Sequence, residues 1–121
     1  MEVPILKQGS FLIATVQAAL TDVDLLQFRT ALIHQVVRCR SQGVILDVTD
    51  LDVMDSFAAR TIREIAQMIR LRGAETVIVG IQPEVAFAMV QLGLTMEGVA
   101  TALDLDEGLE YLNQKSLNST S

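Results

Sequence analysis

The sequence predicts an α/β domain built on a mixed, mostly parallel β-sheet. The apolar run at residues 44–46 and the strand-forming segment at 75–81 are typical of buried strands, and each precedes a segment with apolar residues at helical spacing. Two strand-forming segments joined by a glycine turn come before them, which predicts an antiparallel hairpin. Because strands that alternate with helices form parallel pairs, the hairpin and the alternating part together predict a mixed sheet.

The hairpin is predicted to consist of strands at residues 3–7 and 10–17, with a turn at Gln8 and Gly9. Pro4 falls at the start of the first strand, where a missing backbone donor costs least. In the second strand, alternate residues form two faces, which are Phe11, Ile13 and Thr15 on one side and Leu12, Ala14 and Val16 on the other.

The first helix is predicted to begin at Thr21 and Asp22 and to end before Gly43. Its apolar stripe is Leu25, Phe28, Leu32 and Val36, widened by Leu26, Ile33 and Val37. Arg38 and Arg40 lie near its end, where cations suit the helix dipole. Since the apolar surface is wider than one stripe, we expect this helix to pack on the sheet and on a second surface, and the chain to self-associate or to associate with similar domains.

The stretch at residues 43–59 combines an apolar strand, an acidic loop and a helix start. The loop is acidic because of four aspartates, Asp47, Asp50, Asp52 and Asp55. The following helix is predicted from Ser56 to about Leu71, with the inner face Ala58, Ile62, Ile65 and Ile69 and the outer face Arg60, Arg63, Glu64, Gln67 and Arg70. Functional residues of open α/β sheets tend to follow the carboxyl ends of strands, so this loop is the candidate site.

The remaining sequence predicts two further strand–helix pairs. A strand at 75–81 precedes a short helix that starts at Gln82, Pro83 and Glu84 and has the inner face Val85, Ala88, Met89 and Leu92. A last short strand is predicted at 98–102, and Asp104 caps a helix with Leu105, Leu109 and Leu112 inward. The polar tail at 113–121 is expected to fray. The predicted order is β-β-α-β-α-β-α-β-α, in one domain at residues 1–121.

Composition limits the classes of function. The chain has 121 residues and a net charge of −6, which argues against a nucleic-acid binder. The single cysteine, Cys39, excludes an intrachain disulfide and lies in a helical pattern typical of a buried thiol. No apolar run has the length of a membrane span and no signal peptide is recognisable, so we expect a cytoplasmic domain without a membrane segment.

The acidic loop also allows enzymatic interpretations. Carboxylate oxygens suit Mg²⁺ or Ca²⁺, so the four aspartates could serve a metal-dependent phosphotransfer enzyme, although the spacing lacks the glycine and the glutamate of a calcium loop. A phospho-accepting receiver domain needs a lysine near the end of a late strand, and neither Lys7 nor Lys115 lies there. Phosphate-binding glycine motifs are missing from the sequence. We therefore expect no cofactor, no metal and no catalysis; Asp55 or Ser56 could also serve only as a helix cap.

Four separated motifs resemble the STAS domains, the family of sulfate transporters and anti-sigma-factor antagonists. They are Pro4-Ile5-Leu6-Lys7, Asp55-Ser56-Phe57, Gly80-Ile81-Gln82-Pro83 and Thr101-Ala102-Leu103-Asp104-Leu105. The similarity covers nearly the whole chain, and within the family the motifs are most similar to those of RsbS-like stressosome scaffolds. The resemblance implies a non-enzymatic STAS domain that is phosphorylated on Ser56.

The resemblance also implies the partners. Such a scaffold assembles with RsbR-type sensor STAS proteins, sequesters an RsbT-type serine kinase and releases it when phosphorylated, and an RsbX-type phosphatase resets it. The partner-binding loop would comprise Asp52, Asp55, Ser56, Phe57 and Arg60.

One departure from the family pattern favours the scaffold role. Simple anti-sigma-factor antagonists usually have a second hydroxyl residue and glycines after the serine, whereas Phe57, Ala58 and Ala59 follow Ser56 here. Ser56 is therefore the sole acceptor in the motif. The alternatives are a free anti-sigma-factor antagonist regulated by serine phosphorylation and, from another class, the metal-dependent enzyme.

Overall fold

Within the residues that the structure describes, five strands and four helices follow the order that the sequence predicts. The structure is a computed structural model that describes residues 3–17, 20–93, 96 and 98–119. The strands are β1 (Ile5–Gln8), β2 (Phe11–Thr15), β3 (Gly43–Asp47), β4 (Glu75–Val79) and β5 (Ala100–Ala102). The helices are α1 (Asp22–Cys39), α2 (Ser56–Leu71), α3 (Pro83–Gln91) and α4 (Leu105–Ser119). The predicted α/β class is confirmed.

The strands form one sheet in the order β1-β2-β3-β4-β5. The β1–β2 pair is antiparallel, and the three other pairs are parallel. In this register Ile13, Ile45 and Val77 lie side by side across the sheet. The sheet is therefore mixed and mostly parallel, as predicted, and the carboxyl ends of β2, β3 and β4 share one edge.

The two faces of the sheet have separate cores. On one face, Leu12, Ala14 and Val16 of the β2 segment pack with the buried residues of α1, α2 and α3. On the other face, Phe11 and Ile13 pack with α4. The alternation predicted for the second strand is thus confirmed.

Helix α1 begins with a capping box. The Thr21 hydroxyl accepts a hydrogen bond from the Asp24 amide at 3.1 Å, and the Asp24 carboxylate accepts one from the Thr21 amide at 3.0 Å. This backbone hydrogen bond to the ionised form lowers the pKa of the Asp24 carboxyl. The predicted stripe is buried, with Leu32 at 0% and Val36 at 2% exposure. The capping box thus defines the start of the helix, and the buried stripe packs the helix on the sheet.

One expectation for the C-terminal half was wrong. Leu92 is 62% exposed rather than on the inner face of α3, because the helix ends at Gln91 and Leu92 is its C-cap. Helix α4 extends to Ser119 and so includes most of the polar tail expected at 113–121, whose residues 120 and 121 lie outside the described residues. The Ser116 hydroxyl donates a hydrogen bond to the Gln42 side-chain carbonyl at 2.7 Å, which holds this part of α4 against the loop before β3.

A buried hydroxyl in β4 provides a test of the core. Among the described residues, the Thr76 hydroxyl has no hydrogen-bond partner, and its side chain lies beside Val44 in the parallel register. An unpaired buried hydroxyl is destabilising, so Thr76→Val should raise the free energy of unfolding by about 1 kcal/mol. Urea denaturation measures this change. Thr101→Val, at an exposed position of β5, is the control and should have little effect. A less stable Thr76→Val variant would contradict the expectation.

Candidate functional site

The loop between β3 and α2 lies at the carboxyl edge of the sheet. Val48 and Met54, near its two ends, are 1% and 3% exposed and belong to the core. The Val48 amide donates to the Val79 carbonyl at 3.0 Å, and the Leu51 amide donates to the Val48 carbonyl at 3.0 Å. The loop is thus anchored by apolar side chains and backbone bonds, while Asp50 remains exposed.

Ser56 is the first residue of α2, and its side chain is exposed. Asp55 is the N-cap, and its Oδ1 accepts a hydrogen bond from the Ala58 amide at 2.8 Å. Because Asp55 makes the capping bond, the helix start does not depend on the Ser56 hydroxyl. The sequence left Asp55 and Ser56 as alternative caps, and in the structure Asp55 is the N-cap.

The other residues of the predicted partner-binding loop lie around Ser56. The Arg60 Nε donates a hydrogen bond to the Ser56 carbonyl at 3.4 Å, so the arginine folds back over the first turn of α2. Phe57 is half-buried and packs against the core, whereas Asp52 is exposed. The five predicted residues are therefore grouped on one loop and one helical turn.

A small cavity adjoins this loop. It has a volume of about 170 Å³ and lies between the end of β2, the start of α1 and the loop. Its lining combines apolar side chains with the carboxylates of Asp22, Asp52 and Asp55. Pockets for nucleotides and drug-sized ligands are typically about 300–1,000 Å³ and have few charges, so this cavity is small and acidic by comparison.

Thr49 connects the base of the loop to the segment after β4. Its amide and hydroxyl donate to the Asp47 Oδ1 at 3.0 and 2.6 Å, and its carbonyl accepts from the Gln82 Nε2 at 2.6 Å. Gly80 lies beside it at a φ of +79°, and a Cβ at this position would clash with the Thr49 hydroxyl. Sequence reasoning identified Gly80 and Gln82 as a motif but missed Thr49, because the contact joins residues 33 positions apart.

Two of the four loop aspartates have structural contacts of their own. Asp47 binds Thr49, and Asp55 caps α2. Within the described part of the chain, no group of three or more His, Cys, Asp or Glu side chains is arranged to hold a metal ion. Nor does any helix in the described ranges have the length and apolarity required to cross a bilayer.

Comparison with known proteins assigns the family. A family model described as the STAS domain matches residues 2–108. The chain belongs to the STAS-domain family. The match covers the hairpin, the acidic loop and the first turn of α4, so the fold and the candidate site both lie inside it.

Solved structures of STAS domains are similar over almost the entire chain. An RsbS of Moorella thermoacetica with a serine-to-glutamate substitution is 33% identical, with a TM-score of 0.83, covering 96% of this chain and 98% of that one. A chain of a solved stressosome, described as a signal integration and transduction hub, is 32% identical with a TM-score of 0.77, covering 93% and 98%. The anti-sigma-factor antagonist SpoIIAA, at 11% identity and a TM-score of 0.69, shares the fold.

Two of the curated relatives are considerably longer proteins. The RsbT co-antagonist protein RsbRA of Bacillus subtilis is 37% identical over 79 residues, which are 65% of this chain and 29% of RsbRA. RsbRC of the same organism is 31% identical over 68 residues, which are 56% of this chain and 24% of RsbRC. The aligned part is thus less than a third of the length of these two relatives.

Proposed function

We propose that the chain is a cytoplasmic, non-enzymatic scaffold of a stressosome-type complex that retains a serine kinase until Ser56 is phosphorylated. The observation that carries the proposal is the exposed Ser56 hydroxyl at the start of α2, beside an aspartate that makes the capping bond in its place. A kinase can reach this hydroxyl without unfolding the helix. The similarity to RsbS of Moorella over 96% of the chain supports the same role.

Phosphorylation should leave the domain folded. A phosphoserine adds about −1.5 to −2 charges, and the N-terminus of a helix favours an anion by about 0.3–1 kcal/mol. Asp55 and the exposed Asp52 oppose the added charge by a comparable amount, about 0–1 kcal/mol for exposed groups. Because these contributions nearly cancel, we expect the phosphate to change the affinity for a partner that covers this surface rather than the stability of the domain.

The partner-binding surface that we propose consists of Asp52, Asp55, Ser56, Phe57 and Arg60. Its exposed residues are polar or charged, and the half-buried Phe57 connects them to the core. A protein docked over this surface must accommodate a hydrated dianion once Ser56 is modified. Unfavourable charge juxtaposition at an interface can cost several kcal/mol, which is sufficient to release the partner.

The partners are proposed from the relatives. RsbRA carries the name RsbT co-antagonist, so an RsbT-type serine kinase is the partner that we assign to the Ser56 surface, with RsbR-type sensor STAS proteins in the same assembly. The solved stressosome chain supports an assembly of STAS domains. An RsbX-type phosphatase, implied by the family resemblance, would remove the phosphate.

Mass spectrometry tests the modification directly. After incubation with the cognate kinase and ATP, we expect one phosphate on the peptide that contains Ser56, and none on the Ser56→Ala variant. The peptides that contain Ser10 and Ser41 provide internal controls, because Ser10 lies at the opposite edge of the sheet and Ser41 is 8% exposed. A phosphate outside the β3–α2 loop would contradict the proposed site.

A further inference from the structure

Helix α3 exposes apolar side chains on the side that faces away from the sheet. Pro83, Phe87 and Val90 are separated by four and three residues, so they lie on one face of the helix. Phe87 is 65% and Val90 is 81% exposed, whereas Val85 and Met89, on the inner face, are 2% and 7% exposed. Pro83 is exposed as well. We call the surface formed by Pro83, Phe87 and Val90 the α3 outer face.

The α3 outer face has an unusual composition for a surface in contact with water. Glu84 is the sole charged residue of α3, and it lies in the first turn. Among the residues that the structure describes, Phe87 is the one exposed aromatic side chain, because the others are buried or half-buried. A helix that is apolar on both sides is usually covered on both sides, and exposed apolar patches mark interaction sites. We therefore expect a partner protein to cover this face.

The start of α3 is joined to the loop that carries Ser56. The Gln82 Nε2 donates a hydrogen bond to the Thr49 carbonyl at 2.6 Å. Gln82 is the N-cap residue of α3, yet its side chain makes no capping bond to that helix. The side chain at the cap position instead holds the start of α3 beside the β3–α2 loop.

Helices α2 and α3 are neighbours on one face of the sheet. Buried residues of both helices belong to the same core, and β4 lies between β3 and β5. Because crossovers between parallel strands are right-handed, successive helices lie side by side, and both of these helices begin at the carboxyl edge. Packed helices are about 8–10 Å apart, and Phe87 lies four residues, or about 6 Å, beyond the first residue of α3. The backbones of Phe87 and Ser56 are therefore on the order of 10 Å apart.

The size of a stable interface requires a partner at Ser56 to reach this face. Specific interfaces bury about 800 Å² on each partner and involve about 20–30 residues a side. The proposed Ser56 surface has five residues on one loop and one helical turn, so it is only part of such an interface. A circular footprint of about 800 Å² has a radius of about 16 Å. A footprint centred on Ser56 therefore includes Phe87.

The two surfaces differ in chemistry in a way that suits one partner. Asp52 and Asp55 make the Ser56 surface acidic, and the aromatic Phe57 beside them is half-buried. Most of the binding energy of an interface comes from a few aromatic and apolar side chains that fill pockets of the partner, whereas charges at its rim contribute little. Phe87 supplies such a side chain, and phosphorylation of Ser56 leaves the α3 outer face apolar.

We propose that the α3 outer face anchors the serine kinase that the chain retains, with Phe87 in an apolar pocket of the kinase. The inference rests on the proposed scaffold function and divides the kinase-binding surface into two parts. The α3 outer face binds the kinase by apolar contact in either state of Ser56. The Ser56 surface determines whether the kinase is released.

Co-elution with the kinase tests the anchor. Phe87→Ala removes the ring and should weaken retention at least about tenfold, and Val90→Asp should do the same by placing a carboxylate in an apolar contact. Leu6→Ala is the matched control, since Leu6 is 64% exposed and lies on β1, at the opposite side of the sheet. It should retain the kinase like the wild type. Thermal denaturation checks that all three variants are folded, and normal retention by folded Phe87→Ala overturns the anchor.

Phosphorylation kinetics test whether the anchor acts through binding. Because Phe87 would contact the kinase equally before and during phosphoryl transfer, Phe87→Ala should raise the KM for Ser56 phosphorylation and leave kcat nearly unchanged. In co-elution, the losses caused by Phe87→Ala and Ser56→Asp should multiply, because the two residues contact separate parts of the kinase. An unchanged KM, or a double variant no weaker than Ser56→Asp alone, would contradict the division of the surface.

Thiol labelling locates the covered surface directly. In a Cys39→Ser background, Val90→Cys should react readily in the free chain and at least about tenfold more slowly in the kinase complex, because an interface excludes water and reagent from its centre. Leu6→Cys is the control and should react at the same rate in both. Equal rates at residue 90 in the free and bound chain would rule out the α3 outer face as the covered surface.

The outcomes distinguish this inference from the proposed function. If retention by the wild type depends on Ser56 and Phe87→Ala has no effect on it, the scaffold function stands and the anchor is wrong. A wild-type chain that does not retain the kinase contradicts both. Sedimentation velocity with an RsbR-type partner tests the other occupant, a STAS domain. If Phe87→Ala dissociates that assembly while it retains the kinase normally, the α3 outer face binds a STAS domain and the kinase assignment is overturned.

Discussion

Ser56→Asp is expected to weaken retention of the kinase at least about tenfold, whereas Ser56→Ala is expected to hold the kinase and fail to release it on incubation with ATP. A tenfold loss corresponds to about 1.4 kcal/mol, well within the cost of placing an extra charge at a covered surface. The effect should be large because Asp52 and Asp55 already make this surface acidic. Co-elution with the kinase, for the wild type, the phosphorylated protein and both variants, measures it.

The matched control adds the same charge elsewhere. Ser10 is exposed in the turn between β1 and β2, at the edge of the sheet opposite to the loop. Ser10→Asp should therefore retain the kinase like the wild type, and all three variants should melt close to the wild-type temperature. If the phosphorylated protein retains the kinase as tightly as the unmodified protein, the proposed switch is wrong.

Arg60 determines how well aspartate imitates the phosphate. Its Nε is bonded to the Ser56 carbonyl, so the guanidinium already lies over the first turn of α2. A phosphate is longer and more highly charged than a carboxylate, and Arg60 can pair with it and reduce the repulsion. We therefore expect Ser56→Asp to be an incomplete mimic. In an Arg60→Gln background phosphorylation should weaken kinase retention further, so the difference between the phosphorylated protein and Ser56→Asp should increase.

The sequence predicted those features that depend on neighbours along the chain. The stripe of α1, the alternating faces of β2 and the start of α2 at Ser56 follow from local spacing and capping, and the structure confirms them. Leu92 was misplaced because one residue at a helix end decides whether a side chain turns inward or outward. The hydrogen bond between Ser116 of α4 and Gln42 could not be predicted, because it joins residues 74 positions apart.

The candidate site was predictable only in part, for a physical reason. Asp55 and Ser56 follow a strand and precede a helix, so their position was evident from the sequence. Which of the two makes the cap depends on the backbone angles at Asp55, and the structure supplies those. The role of Thr49 depends on a contact between two loops that no local pattern encodes. The assignment of Ser56 as the phosphorylated residue came from family resemblance and remains a prediction.

Gly80→Ala is expected to lower the free energy of unfolding by about 2–5 kcal/mol. A positive φ costs an alanine about 1–2 kcal/mol, and the added Cβ would force the Thr49 hydroxyl aside at a further cost of about 1–3 kcal/mol. Gly73→Ala is the matched control, because Gly73 also has a positive φ, of +83°, but no described atom lies within 4 Å of its Cβ position. Urea denaturation measures the free energy of unfolding of both variants. The difference between their two losses is the cost of the steric clash.

Thr49→Ala tests whether the Thr49 hydroxyl causes the steric cost of Gly80→Ala. The substitution removes the hydroxyl that the new Cβ would meet but keeps the Cβ and Cα of residue 49, at 3.1 and 3.2 Å. Gly80→Ala should therefore cost less in a Thr49→Ala background than in the wild type, while part of the steric cost remains. If Gly80→Ala and Gly73→Ala lower the free energy of unfolding equally, the clash with the Thr49 hydroxyl contributes nothing to stability. Because Thr49 is also bonded to Gln82, displacing it should shift the base of the Ser56 loop. We therefore expect Gly80→Ala to weaken kinase retention even at temperatures where the variant is fully folded, whereas Gly73→Ala should not.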